Sequence, residues 1–281
     1  MKKRAISVLG LVFVSAVVVT HAQWLNYPTP GVPRTPDGKP KLDAPAPRTA
    51  DGHPDLSGVW MHELTPISEL RRLFGARIDE AAKTDIPGME TGTQHKYVLN
   101  ILIDFPDRES MVRPNGERPE LRRGGSCAPG RAVAGFPVAG LLSEPIKIVQ
   151  APRLTVVLYE VGNDHRQIFT DGRTLPAEVN LPAYFGYSVG RWDGDTFVVQ
   201  TAGFNDQTPL DAAGHRHSDQ LRVVERFRRL DFGHLDIEMT FDDPKVYTRP
   251  FTIRVPHNLI ADSDIFEMFQ QNEKDCAHMQ Q

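Results

Sequence analysis

The stretch LRVVERFRRLDFGHLDIEMTFD, residues 221–242, decides the fold, because two runs that alternate apolar and polar residues flank a short turn. Leu221, Val223, Glu225 and Phe227 share one face of the first run, and Arg222, Val224, Arg226 and Arg228 share the other. In the second run Leu235, Ile237, Met239 and Phe241 lie opposite Asp236, Glu238, Thr240 and Asp242. Successive side chains point to opposite sides of a strand, so a period of two marks each run as a half-buried β-strand. A turn at Asp231–His234 that pairs residues whose numbers sum to 464 sets Arg228 against Asp236, Arg226 against Glu238 and Arg222 against Asp242. Opposite charges then meet on the wet face, each pair worth a few tenths to about 1 kcal/mol. The same register puts Glu225 opposite Met239 on the apolar face.

Working outward, short β-branched runs at 146–150 and 154–161 surround an Ala-Pro-Arg turn, and 166–170 reads as a further strand ending at Asp171-Gly172. Runs at 185–191 and 196–201 flank Asp193-Gly194, the strongest hairpin signal in the chain. Runs at 247–255 and 265–270 complete the set, and Leu56–Trp60 is the first core element. Ile67, Leu70, Phe74, Ile78 and Ala81 recur at helical spacing after a Thr-Pro start, which predicts one amphipathic helix over 65–83. From Thr84 to Pro145 the chain is rich in Gly, Pro and Arg and reads as loop, with 97–103 as its one short helix or strand. The expected fold class is therefore mainly β: an antiparallel barrel or strongly curved sheet with one helix and long loops, in a single domain over 55–281.

Residues 1–22 have the basic start, apolar middle and small-residue end of a secretory signal peptide. Residues 23–54 carry so many prolines that they read as an extended linker, within which Pro33–Leu42 is echoed 14 positions later by Pro47–Leu56. Loss of the first 22 residues takes the formal charge from −4 to −7, which argues against nucleic acid or an anionic membrane as partner. Past the signal segment no apolar run approaches the roughly 20 residues that span a bilayer. Export would put Cys127 and Cys276 in an oxidising compartment, where a disulfide between them is expected and two unpaired thiols are the alternative.

Glu225 is the first candidate for chemistry. A carboxylate on an apolar face must be paired, protonated or wet, since an unpaired buried ion costs several kcal/mol. It is either a general acid or base of raised pKa, or the partner of an inward arginine such as Arg173 or Arg229. His215 and His217 form an H-x-H pair that lacks a third ligand, so no metal is assigned; the open readings are a catalytic His217 or two turn caps. Arg166 and Asp171 either fix a polar ligand or pair with each other. Tyr187, Asn205, Asp206 and Asp211 are further candidates for substrate contact on strand ends and rim loops. No Gly-x-Ser-x-Gly elbow, P-loop or dinucleotide fingerprint occurs, and no cofactor is implied.

The phrases PDLSGVW (54–60), RQIFTDGR (166–173), GYSVGRWDGDTF (186–197) and HS…ERF (217–227) together resemble a large group of exported bacterial proteins. The resemblance implies export and a shared β-rich fold over most of 50–275, and it carries no reaction. Gly58-x-Trp60 also looks like the opening of lipocalin-type barrels. The leading expectation is an exported, periplasmic or secreted barrel that binds a small, largely apolar molecule and acts on it by acid/base chemistry of the lyase, isomerase or cyclase type through His217 and Glu225. The alternatives are a non-catalytic binding or envelope-interaction protein and a metal-dependent enzyme.

Overall fold

A computed structural model describes residues 28–75, 78, 95–114, 145–160, 164–176 and 182–265. The elements are β1 (Gly58–His62), α1 (Ile67–Phe74), α2 (Lys96–Leu99), α3 (Arg108–Met111), β2 (Ile146–Ala151), β3 (Leu154–Tyr159), β4 (His165–Phe169), β5 (Tyr187–Asp193), β6 (Thr196–Ala202), β7 (Arg222–Arg229), β8 (His234–Asp242) and β9 (Phe251–Leu259). The nine strands follow one another around a closed barrel in sequence order, and β1 pairs with β9 to remove both edges. A ring of nine strands cannot alternate direction all the way round, so one neighbouring pair must run parallel. That pair is β4 and β5, with Ile168 opposite Ser188. The barrel is therefore mixed, where the sequence predicted only antiparallel pairing.

The hairpin of β7 and β8 has the register read from sequence: Arg222 faces Asp242, Glu225 faces Met239, and Arg228 faces Asp236. Its wet-face charges are shared with a third strand, since Asp236 takes the Arg254 guanidinium of β9 at 2.6 Å and lies 3.8 Å from Arg228. Strand β9 begins later than the sequence predicted and continues through Pro256, whose carbonyl accepts from Glu63 N–H at 2.7 Å. The run predicted at 265–270 lies outside the described residues after Ile265. Of the helix predicted over 65–83, Ile67–Phe74 is observed, ending at Gly75, and Ile78 alone is described beyond it.

Residues 28–54 are not a free spacer. Both copies of the repeat fold into the same loop: Thr35 N–H donates to Lys39 O and Thr49 N–H to His53 O, each at 2.9 Å. Each loop turns at a glycine with φ near +84°, Gly38 at 83° and Gly52 at 85°. In each, the arginine spans its own loop and then reaches the barrel, Arg34 to Asp262 at 2.5 Å and Arg48 to Asp195 at 2.6 Å. Phe232 N–H and Gly233 N–H donate to Ala44 O and Leu42 O at 2.7 Å, and Leu42 presses so close to Gly233 that a Cβ there would lie 2.4 Å from the leucine Cβ. The segment thus closes the barrel end at which β7 finishes and β8 begins. Burial of Val32, Ala44 and Leu56 offsets the entropy of ordering the proline-rich chain, which composition alone did not reveal.

The opposite end, where β6 and β8 finish and β7 and β9 begin, is covered by residues 95–114 and by the loop between β6 and β7. Val98, Ile101, Leu102 and Met111 are buried there, and Val112 bridges to Tyr247. Between the two covers the lumen is filled. Val157, Val199, Val223, Ile237, Met239, Phe241 and Val255 all show 0 % exposure, which leaves no water-sized space against them. An open, lipocalin-like ligand cavity along these side chains is excluded.

Candidate functional site

Glu225 enters that filled lumen from β7, in register with Val199 and Met239. Its partner is Arg166 of β4, neither of the arginines predicted from sequence. Arg166 Nη1 donates to Glu225 Oε1 at 3.0 Å and Nη2 to Oε2 at 2.5 Å, with side-chain exposures of 1 % and 0 %. Two further donors of the guanidinium go to Ser188 Oγ at 3.0 Å and Thr201 Oγ1 at 2.7 Å. Burial alone would push the Arg166 pKa down, but the Glu225 carboxylate outweighs it and holds it above its ordinary value. Every polar atom of the pair is engaged and sealed from solvent, so Glu225 is a structural ion rather than a general acid.

His217 does not meet Glu225. Its Nδ1 donates to Ser218 O at 3.2 Å, its Nε2 accepts from Thr208 Oγ1 at 3.1 Å, and its ring packs edge-on against Phe204. Burial lowers its pKa, so it is a neutral, satisfied core histidine. Arg166 and Asp171, predicted to pair or to share a ligand, lie apart: Asp171 accepts from Arg173 at 2.6 Å, and Arg173 Nη1 donates to Tyr187 OH at 2.8 Å. This group forms an exposed clamp over Phe169. Asn205 Oδ1 accepts from Gln207 N–H at 3.3 Å, a turn contact, and Asp206 acts only at a distance, favouring the charged form of His217. Cys127 and Cys276 lie outside the described residues.

Asp211 is the predicted residue that the structure joins to a functional group. Its carboxylate is fully buried and accepts from Ile101 N–H at 2.6 Å, from His215 N–H at 2.9 Å and from the His215 ring Nδ1 at 2.5 Å. The loop that carries it is short and tightly tied. Leu210 N–H donates to His215 O, Ala212 N–H to Val98 O, and Pro209 bridges to Arg216, with Gly214 at φ +87° making the turn. With Nδ1 held by the carboxylate, His215 presents Nε2 as its remaining ring nitrogen on a side chain that is 21 % exposed. The residue lines a cleft of about 490 Å³ together with Asn100, Arg108, Glu109, Arg216 and Tyr247. Tyr247 anchors the wall by donating to Arg216 O at 2.7 Å, and burial pushes its phenol pKa up.

A carboxylate that orients an imidazole on the wall of a cleft is the arrangement general acid/base chemistry needs. A second cleft of about 480 Å³, bounded by Pro176, Phe204, Leu221 and Arg222, lies at the same barrel end but has no histidine on its walls. The Asp231–His234 pair, at 2.6 Å, has the same local geometry at the other end of the barrel. There the carboxylate is 30 % exposed and the imidazole 44 %, with no cleft around them among those described. The H-x-H pair does not converge on a metal, its two rings taking different partners. Among the described residues no three His, Cys, Asp or Glu side chains are grouped to hold one, and no helix is long and apolar enough to cross a membrane. No protein-family model, curated protein or solved structure matches the chain.

Proposed function

We propose that the chain is an exported β-barrel protein that binds a small molecule in the cleft beside His215, outside the barrel lumen, and acts on it by acid/base chemistry of the proton-abstracting lyase or isomerase kind. The observation that carries this reading is the Asp211–His215 contact of 2.5 Å, with a carboxylate at 0 % exposure and an imidazole at a cleft. Asp211 fixes the tautomer and ring orientation, so that the Nε2 lone pair is available to take a proton and the imidazolium formed is stabilised by the buried charge. The cleft volume falls within the range of small-molecule sites. Export rests on the basic and apolar start of the chain and on the resemblance of its phrases to exported bacterial proteins.

A general-base probe tests the catalytic part without knowledge of the substrate. In 5-nitrobenzisoxazole a base takes the ring C–H proton, the N–O bond breaks, and the oxygen leaves as a coloured phenolate. The wild-type chain is expected to open it faster than His215→Ala by about 10², the lower end of what a positioned base contributes. His234→Ala, which removes the exposed pair at the other barrel end, is expected to match wild type. Equal rates for wild type and His215→Ala would sink the acid/base reading. The non-catalytic alternative has one observation in its favour: Asp211 also holds Ile101 and His215 backbone N–H groups and so has a structural use of its own.

A further inference from the structure

The charges on the cleft walls point to the class of molecule it takes. The chain is acidic overall, with 36 Asp and Glu against 32 Lys and Arg. Its described arginines mostly stand in ion pairs, as Arg34, Arg48, Arg72, Arg173, Arg249 and Arg254 do. Arg108 and Arg216 differ. Both line the cleft beside His215, both are half-buried, and neither guanidinium has an ion pair or hydrogen bond to a described residue. They come from separate walls, Arg108 from α3 and Arg216 from the Asp211 loop. Glu109 is the one carboxylate on the lining itself, and the Asp211 carboxylate is buried behind His215, which it already engages, so the two guanidinium groups are the cleft's unpaired cations. Asn100 adds an amide.

Guanidinium groups are planar, keep their charge, and fit the paired oxygens of a carboxylate or phosphate. Held in a concave, low-dielectric wall, their field concentrates anions at the cleft against the charge of the whole chain. We propose that the cleft recognises a small oxyanion, the carboxylate or phosphate group of its ligand, through Arg108 and Arg216, and thereby sets the rest of the ligand against His215. This rests on the cleft being the working site, but it does not require His215 to be catalytic. A ligand so held has an apolar or neutral body against Val112 and Val246, with its charge at the arginines.

Calorimetric titration of the full chain with sodium phosphate and, separately, sodium benzoate tests the inference and tells the two oxyanions apart. At least one is expected to bind saturably at millimolar concentration or below, and Arg108→Gln/Arg216→Gln is expected to weaken it tenfold or more. Arg222→Gln removes an arginine from the second cleft and is expected to leave binding unchanged. Unchanged affinity in the double variant, an equal loss in Arg222→Gln, or no binding of either anion would each overturn the proposal. His215→Ala separates the two readings. If it keeps the anion affinity while benzisoxazole opening is also unaffected, the oxyanion site stands and the acid/base role falls. Because none of the three arginines has an ion pair with a described residue, their variants are expected to melt with wild type, and a circular dichroism melt checks that each folds.

Discussion

Glu225→Gln is the substitution that most directly questions a filled barrel. The change keeps shape and removes one charge, leaving Arg166 with side-chain exposure of 1 % and no counter-ion. It also turns an accepting oxygen into an amide donor facing a guanidinium donor, so one of the two contacts at 3.0 and 2.5 Å becomes repulsive. Breaking a buried pair from one side costs about 3–5 kcal/mol, a large part of a total stability on the order of 5–15 kcal/mol. Replacing both ions, as Arg166→Met with Glu225→Leu, leaves no unpaired charge. Ser188 Oγ and Thr201 Oγ1 still bond each other at 3.0 Å, and the double variant is expected to lie within about 1 kcal/mol of wild type or above it. Urea unfolding followed by tryptophan fluorescence gives the free energies of wild type, Glu225→Gln and the double variant, Trp60 at 0 % exposure reporting on the lumen. A cost below about 1 kcal/mol for Glu225→Gln would mean that water reaches the pair. The lumen would then be open, and the removal of function from the barrel to its rim would be refuted.

Two further outcomes follow from the same packing. Burial holds His95 down to about 3, with His62 and Lys96 acting in the same direction, while the unfolded chain titrates near 6.5. Between those values the unfolded state binds the extra proton, so stability falls as pH falls, at about 1.4 kcal/mol per pH unit and by about 2 kcal/mol from pH 7 to 5 for this residue alone. His62 and His217, also lowered by burial, add with the same sign, and a urea midpoint that stays flat from pH 7 to 5 would contradict the buried, neutral assignment. Gly190 faces inward on β5, and a Cβ there would stand 2.4 Å from the Phe197 ring and 2.9 Å from Ile168. Phe197 is 1 % exposed and has nowhere to turn, so Gly190→Ala is expected to cost about 1–3 kcal/mol, measurable by the same urea titration; no loss would show slack in the lumen.

How much of this was legible in the chain depended on the range over which each feature is decided. The β7–β8 register could be read because its constraints are local: an alternating apolar face, a short turn and charges that must match across the wet side. The hairpin at Asp193-Gly194 was legible for the same reason, with Asp193 opposite Thr196 and Gly194 at φ +59°. The parallel step from β4 to β5 was not, since it follows from closing a ring of nine and no residue within either strand encodes it. The partner of Glu225 was missed by the same route. That Glu225 needed a cation followed from its face of β7, but which arginine supplied it depended on β4 lying three strands away around the barrel, 59 positions earlier in the chain.

The site divides along the same line. Asp211 stands four residues before His215, and Asp231 stands three before His234, so as sequence both are a carboxylate and an imidazole joined across a tight turn. Nothing local tells them apart, since in each the carboxylate accepts both the backbone N–H and the ring Nδ1 of its histidine. What distinguishes them is supplied from elsewhere. Ile101 N–H closes off the Asp211 carboxylate, Val98 and Leu99 tie down the loop, and Arg108, Asn100 and Tyr247 wall the space beside His215. All of these come from the loop-rich 84–145 region, including its one short helix or strand at 97–103, or lie beyond the next hairpin. Sealed from water and held by the Ile101 and His215 N–H groups, the Asp211 carboxylate fixes the imidazole more firmly than one at 30 % exposure can. The chemistry therefore resides in the cover laid over the turn, and removing Asp211 should matter to His215 in a way that removing Asp231 does not matter to His234.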